Sequence, residues 1–230
     1  MQSIIALDFS SKKEVERLLS YFGKEELFLK VGMELFFSEG LDIVKYLKDL
    51  GHKVFLDLKL NDISNTVARG AENLCKLNVD ILSIHSLGGK NMMIECAKAI
   101  SEQKNKPMLF GISVLTSFDK SDLEEIGIKQ DIKDYMIQRA KTMKECGFSG
   151  SVCSVWESDL IKKSVGDDFK TLCPGIRVFA PKNDQKRVAS YDDAIKNRAD
   201  FIVIGREITK SENPKLAYEK IINYKNTNCY

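Results

Sequence analysis

Residues 55–66 read Phe-Leu-Asp-Leu-Lys-Leu-Asn-Asp-Ile-Ser-Asn-Thr, an apolar strand with charges set into it that then breaks into a polar turn. Val54, Phe55, Leu56, Leu58 and Leu60 make the apolar run, and Asp57 and Lys59 alternate within it. On a strand, both therefore point to one face. Asp62 follows where the run ends. Charged side chains are rarely fully buried unless paired, so Asp-x-Lys-x-x-Asp at the end of a hydrophobic strand reads as a compensated charge cluster facing a reaction site.

Outward from this stretch, short apolar segments alternate with amphipathic ones from end to end. Strands are expected at 3–8, 27–32, 53–59, 80–85, 108–115, 150–154, 171–174 and 200–204. Helical spacing lies between them: Val15, Leu18, Leu19 and Phe22 share one face of 12–22, and Ile132, Tyr135, Met136, Arg139 and Met143 one face of 131–146. Eight strands, each followed by a helix, predict an α/β chain closed into a (β/α)₈ TIM barrel, one domain over residues 1–230. A doubly wound sheet is the main rival. It usually carries a glycine-rich turn after its first strand, and here that turn reads Asp8-Phe9-Ser10-Ser11-Lys12. No linker or low-complexity segment interrupts the alternation. The polar stretch 175–190, after the seventh strand, is expected to be an active-site lid.

Composition narrows the partners. Hydrophobic residues make up 43%, enough for a real core. Thirty-five Lys and Arg against 33 Asp and Glu leave +2, too balanced for a nucleic-acid or anionic-membrane partner. No apolar run approaches the roughly 18 residues of a membrane span, and Met1–Asp8 lacks the basic region of a signal peptide. The six cysteines (75, 96, 146, 153, 173 and 229) form no Cys-x-x-Cys pair and read as reduced core thiols. His52 and His85 are too few for a His-rich metal site. A cytoplasmic protein without metal or cofactor is expected.

Barrel active sites lie at the C-terminal ends of the strands. The polar residues there are Asp8 after strand one, Lys30 in strand two, Asp57 and Lys59 in strand three, and Asp62 just beyond. The first four sum to zero and can share a water-poor pocket by pairing. Asp62 makes the group net negative, which keeps a lysine protonated, and a fixed protonated lysine is a general acid. Taken singly, Lys30 would be a snorkelling lysine and Asp8 a helix cap; together at one barrel end they read as a site. Strand seven ends in Pro174-Gly175-Ile176-Arg177 and strand eight in Ile204-Gly205-Arg206. Loops after strands seven and eight are the common barrel phosphate site. Gly205 permits close backbone approach, Arg177 and Arg206 supply bidentate donors, and Gln185 adds an amide. The substrate expected is a small phosphorylated molecule whose reacting part lies over Lys59. Ser113, Thr116 and Ser117 after strand five suit the edge of a polar heterocycle.

Asp57-x-Lys59-x-x-Asp62-Ile63-x-Asn65-Thr66, Leu115-Thr116-Ser117, Pro174-Gly175-Ile176-Arg177, Asp184-Gln185-Lys186-Arg187 and Val203-Ile204-Gly205-Arg206-x-Ile208-Thr209 together resemble the orotidine 5′-phosphate decarboxylase family, in order from Asp8 to Thr209. The size resembles the stand-alone bacterial form, without a fused phosphoribosyltransferase domain. The resemblance implies cofactor-free conversion of orotidine 5′-monophosphate to UMP, the final step of de novo pyrimidine synthesis. It implies catalytic roles for Lys59 as proton donor, Asp57 beside the departing carboxylate, Asp62 and Lys30. It also implies Asp8 and Lys30 on the ribose hydroxyls, Thr116 and Ser117 toward the base, and Pro174, Arg177, Gln185, Gly205 and Arg206 in substrate binding, mostly at the phosphate. Asp62 and Thr66 would reach into a partner's site, which implies a homodimer. Three positions depart from the family: Ser64 and Glu207 stand where proline is usual, and Asn61 where an aromatic residue or histidine is common. None removes a catalytic group; Ser64 leaves the start of the following helix less rigid. The rivals are an Mg²⁺-dependent sugar-phosphate decarboxylase or synthase of the same barrel family, which needs a carboxylate where this chain has Lys30, and a non-catalytic nucleotide-binding barrel.

Overall fold

The computed structural model describes residues 1–115, 118–177 and 189–227. Its strands are β1 (Gln2–Leu7), β2 (Phe28–Gly32), β3 (Lys53–Leu60), β4 (Ile81–His85), β5 (Met108–Ile112), β6 (Gly150–Val152), β7 (Lys170–Pro174) and β8 (Phe201–Ile204). All pair in parallel in chain order, and β8 returns to β1 to close the barrel. The helices around them are α1 (Lys12–Leu19), α2 (Met33–Glu39), α3 (Leu41–Asp49), α4 (Ser64–Cys75), α5 (Gly89–Ser101), α6 (Lys120–Glu125), α7 (Ile132–Glu145), α8 (Val155–Val165), α9 (Tyr191–Lys196), α10 (Arg206–Thr209) and α11 (Pro214–Thr227). This is the expected (β/α)₈ TIM barrel. No described helix is long and apolar enough to cross a membrane.

Some boundaries move, for local reasons. β5 stops at Ile112 and not at 115, because its partner β6 offers only three residues, Gly150–Val152. Beyond Val152 the chain turns, and Ser154 becomes the residue ahead of α8. Helix α1 ends at Leu19, short of 22, yet Phe22 is still buried from the following turn.

Alternation along the strands builds two cores. Outward side chains such as Leu29, Val31, Leu56 and Ile204 pack under the helices with Val15, Leu18, Ile43 and Leu47. Inward side chains fill the barrel itself: Ile4, Phe28, Phe55, Ile81, Phe110, Leu172 and Phe201. Phe201 meets Phe28 at 6.1 Å and Phe110 at 5.7 Å between ring centres, nearly perpendicular in both cases, the favoured edge-to-face geometry. Gly150 makes room for this packing, since a side-chain carbon there would run into the Lys170 carbonyl and the Phe110 ring. The barrel is therefore a packed column, and only its ends are open.

Two carboxylates tie the N-terminal end. Asp80, just ahead of β4, accepts from the Val54 N–H at 2.8 Å and from Lys48 of α3 at 2.7 Å. Asp200, just ahead of β8, accepts from the Thr171 N–H at 2.9 Å and from the almost fully buried Lys162 of α8 at 2.7 Å. Two residues before each aspartate the chain makes a left-handed turn, at Asn78 and Arg198, both with φ 56°. Burial raises the Asp200 carboxyl, but the bonds from Lys162 and Thr171 outweigh it and hold the group below 3.8. Removing one member of a buried pair strands the other. Asp200→Ala is accordingly expected to lower stability by about 3–5 kcal/mol in urea unfolding at fixed protein concentration.

His52 is buried near the same end, its Nδ1 accepting from the Leu27 N–H at 3.2 Å. Burial pushes its pKa below 6.5; Lys48 adds to the shift and Glu26 opposes it. The unfolded chain then binds a proton more readily than the folded one. The His52 contribution is intact above pH 6.5 and is lost as pH falls toward the depressed folded value. The melting temperature should drop between about pH 7 and pH 5, and drop less in His52→Gln.

Candidate active site

Apolar rings below and charges above define the C-terminal mouth. On β1 the inward positions are Ile4 and Ala6, and Asp8 follows at the rim. On β2 they are Phe28 and Lys30, with Lys30 in register beside Ala6 and Phe55. An ammonium in that apolar ring needs a counter-charge, and Asp8 Oδ1 supplies it at 2.9 Å from Lys30 Nζ. The Lys30 side chain is 13% exposed, so it is neither an edge nor a snorkelling lysine. Asp8 is not a helix cap either, because the residue ahead of α1 is Ser11.

The second pair sits one strand further round. Asp57 is in register with Gly32, and its Oδ2 lies 2.9 Å from Lys59 Nζ, with the two side chains 13% and 29% exposed. The alternation expected for β3 does not continue undisturbed to this point. Lys59 has φ 52°, in the left-handed region, and the pairing with β4 shifts register between Leu56 and Leu60. Four residues of β3 there span what two residues of β4 span. A non-glycine residue in this conformation costs about 1–2 kcal/mol. Ser83 of β4 compensates: its Oγ accepts from the Lys59 N–H at 2.9 Å and donates to Asp57 Oδ1 at 2.9 Å.

A cavity of about 460 Å³ opens beside the first pair, lined by Asp8, Lys30, Pro174, Gly175, Arg177, Gly205 and Arg206, with Glu207 at its edge. The base of the β7 loop is closed by pairing of Ile176 with Ala189 and by the Arg177 N–H donating to the Ala189 carbonyl at 3.0 Å. Gly175 turns the chain at φ 80°, which favours glycine. His85, at the end of β4, is half-buried, and its Nδ1 accepts from the Leu87 N–H at 3.3 Å. Burial pushes its pKa below 6.5, with Lys59 and Arg139 adding to the shift. Among the described residues no three of His, Cys, Asp and Glu gather as a metal site would require.

Six residues expected from the sequence thus line one cavity: Asp8, Lys30, Pro174, Arg177, Gly205 and Arg206. Asp57 and Lys59 form a pair on the neighbouring strand. Asp62 does not join them within the chain; it is exposed and accepts from the Ile63 N–H at 2.6 Å. Thr66, on the first turn of α4, is exposed as well. Thr116, Ser117, Gln185 and most of the stretch expected to form a lid lie outside the described residues.

The family model described as "Orotidine 5′-phosphate decarboxylase / HUMPS family" matches residues 1–221. The chain belongs to this family. A relative named orotidine 5′-phosphate decarboxylase, from Bacillus cytotoxicus, is 44% identical over 224 residues, covering 95% of this chain and 94% of its own length. The solved structure of orotidine 5′-phosphate decarboxylase from Lactobacillus acidophilus is 34% identical with a TM-score of 0.86, covering 99% of both chains. That from Pyrococcus horikoshii, at 22% identity and a TM-score of 0.76 over 96% of this chain and 98% of its own, shares the fold.

Within this decarboxylase-family barrel, two residues near the charges escape a reading by composition. Ser83 carries no charge, and its only sequence signal is a hydroxyl at an inward strand position between Ile81 and His85. Gly32 is the other. A side-chain carbon there would come within 2.9 Å of Lys30 Nζ, so the missing Cβ leaves room for the ammonium. Gly32→Ala is expected to keep the fold but push the Lys30 ammonium off Asp8. A crystal structure of the variant checks this, and an unmoved ammonium would show that the backbone yields instead.

Proposed function

We infer that this chain converts orotidine 5′-monophosphate to UMP and carbon dioxide in pyrimidine synthesis, with no metal or organic cofactor. The observation that carries the reading is the pair of Lys–Asp contacts, each 2.9 Å, at the mouth of an otherwise apolar barrel beside a cavity that two arginines line. In the reaction, the bond between the pyrimidine ring and its carboxylate breaks. Carbon dioxide leaves, and the electron pair stays on the ring carbon. The Lys59 ammonium stabilises that developing charge and then passes a proton to it, giving UMP and a neutral amine that solvent reprotonates. Enzymes lower barriers by about 8–23 kcal/mol, and a carbanion with little resonance needs the upper part of that range. A fixed ammonium in a low-dielectric site is the source matched to it.

Asp57 holds the Lys59 ammonium in place at 2.9 Å, and lies next to the departing carboxylate. Asp8 and Lys30 hold the ribose hydroxyls. Arg177, Gly205, Arg206 and Gln185 hold the phosphate with Pro174 at the turn, and Thr116 and Ser117 meet the base. Binding of the remote phosphate contributes orientation. Lys30 puts a cation where a divalent metal would need a carboxylate, so the reading stays with metal-free chemistry. Residues 1–230 act as one catalytic domain, in the reducing cytoplasm where the five buried free thiols among the described residues persist.

The active form is a homodimer, with Asp62 and Thr66 of each chain completing the partner's site. The exposed position of both residues supports this. So do the apolar side chains left in solvent after consecutive strands: Met33 and Phe37 after β2, Ile63 after β3 and Leu87 after β4, with Phe37 75% and Ile63 72% exposed.

Purified, EDTA-treated protein is expected to bleach the ultraviolet absorbance of orotidine 5′-monophosphate in step with UMP formation; a folded dimer that binds UMP but leaves the absorbance unchanged would overturn the reading. Lys59→Ala is expected to bind UMP and lose turnover by at least about four orders of magnitude, a share of the barrier that electrostatic stabilisation can supply. Mixing Asp62→Ala with Lys59→Ala subunits should restore activity in the heterodimer, where one composite site is intact. Verified heterodimers without activity would refute the shared site.

A further inference from the structure

We propose that Ser83 is the positioning residue of this site: it holds the Lys59 backbone in its left-handed conformation and locks the Asp57 carboxylate against the Lys59 ammonium. The proposal rests on Lys59 being the proton donor. Ser83 faces into the barrel and is fully buried, in register with Phe110. A hydroxyl has one proton to give and lone pairs to accept with, and both capacities are used. The proton goes to Asp57 Oδ1, and a lone pair takes the Lys59 N–H, each at 2.9 Å.

Backbone geometry shows what this bond replaces. Among the described residues, three non-glycine residues have positive φ: Lys59, Asn78 and Arg198. Asn78 and Arg198 stand in turns ahead of strands, whereas Lys59 lies inside β3. Because the register shifts between Leu56 and Leu60, the Lys59 N–H meets a side chain of β4. A buried N–H without an acceptor is unfavourable, so the hydroxyl is what makes the kinked backbone tolerable. The kink in turn aims the side chain. Without the hydroxyl, φ relaxes toward extended values, Cβ swings, and the ammonium leaves its place. Asp57 Oδ1 loses its proton donor in the same change, freeing the carboxylate to rotate. Ser83 thus couples the aim of the lysine to that of its counter-ion without touching substrate.

The test compares Ser83→Ala, the near-isosteric Ser83→Cys with its weak hydrogen-bonding thiol, and Ser83→Thr, which keeps the hydroxyl, with Lys59→Ala as reference. Loss of a hydrogen bond to a charged group predicts that kcat falls about 10- to 100-fold in the Ala and Cys variants. KM and UMP affinity should stay within about twofold, and Thr should recover most of the loss. Amide hydrogen exchange at Lys59 should accelerate in Ala and Cys but not in Thr; this readout is independent of turnover. Parental kcat and parental exchange in Ala or Cys would overturn the role of Ser83 while leaving the donor assignment intact. A matched loss of kcat, substrate affinity and melting temperature that Thr does not recover would reduce Ser83 to packing and overturn it too. Turnover persisting in Lys59→Ala would overturn the donor assignment and this proposal with it.

Discussion

Two ammonium groups at the end of a barrel packed with phenylalanine are the constraint around which the mouth is built. Lys30 stands in the sheet beside Ala6 and Phe55, and neither its side chain nor that of Lys59 is fully open to water. Each is therefore matched to one carboxylate at 2.9 Å, and the carboxylates come from neighbouring strands or from the same strand two residues back. Gly32, without a side chain, sits between the two pairs: it stands beside Asp57 in the sheet and leaves the Lys30 ammonium its space. Asp8 is 62% exposed, so its pair is open to water; the Asp57 pair is more enclosed, where pairing is stabilising only when the geometry is good and the remaining lone pairs are satisfied. At Asp57 the second oxygen is satisfied by Ser83. The charges are held by direct bonds within the chain, the kind of preorganisation on which electrostatic catalysis depends.

Much of this was legible in the chain itself, because the period of two in a strand and the requirement that buried charges be paired are both strong rules. They put Asp8, Lys30, Asp57 and Lys59 at one end of eight strands, and Arg177 and Arg206 at the loops of the seventh and eighth. The rules fail where backbone departs from regularity. Val114 and Leu115 prolong an apolar run past the last residue that β6 can pair with, so β5 looked longer than it is. Simple alternation aligns Asp57 with Lys59 but hides the register shift and the positive φ that actually bring the lysine back to its carboxylate. Ser83 was invisible for another reason: a serine inside a strand has no distinctive pattern, and only the partners across the sheet give it a task.

The family's usual prolines also read differently beside the structure. Ser64 opens α4 where proline would fix the backbone, and the residue ahead of it, Ile63, has φ −59° and ψ 150°, the extended setting that precedes a proline. Glu207 lies at the edge of the cavity that Arg177 and Arg206 line, so the departure there changes the charge of the mouth and not only its stiffness.

The opposite end of the barrel follows another logic. Asp80 and Asp200 each take a strand N–H and a helix lysine after the same left-handed turn, and they stand four strands apart in a ring of eight. A half-turn about the barrel axis therefore carries one of these ties onto the other. The mouth has no such repeat: β3 and β4 bear Asp57, Lys59, Ser83 and His85, while β7 ends in Pro174 and Gly205 follows β8. The ties repeat across the ring, whereas the paired charges gather on one side of the mouth. What ties the strands together and what gathers the charges are written on different rims of the same strands.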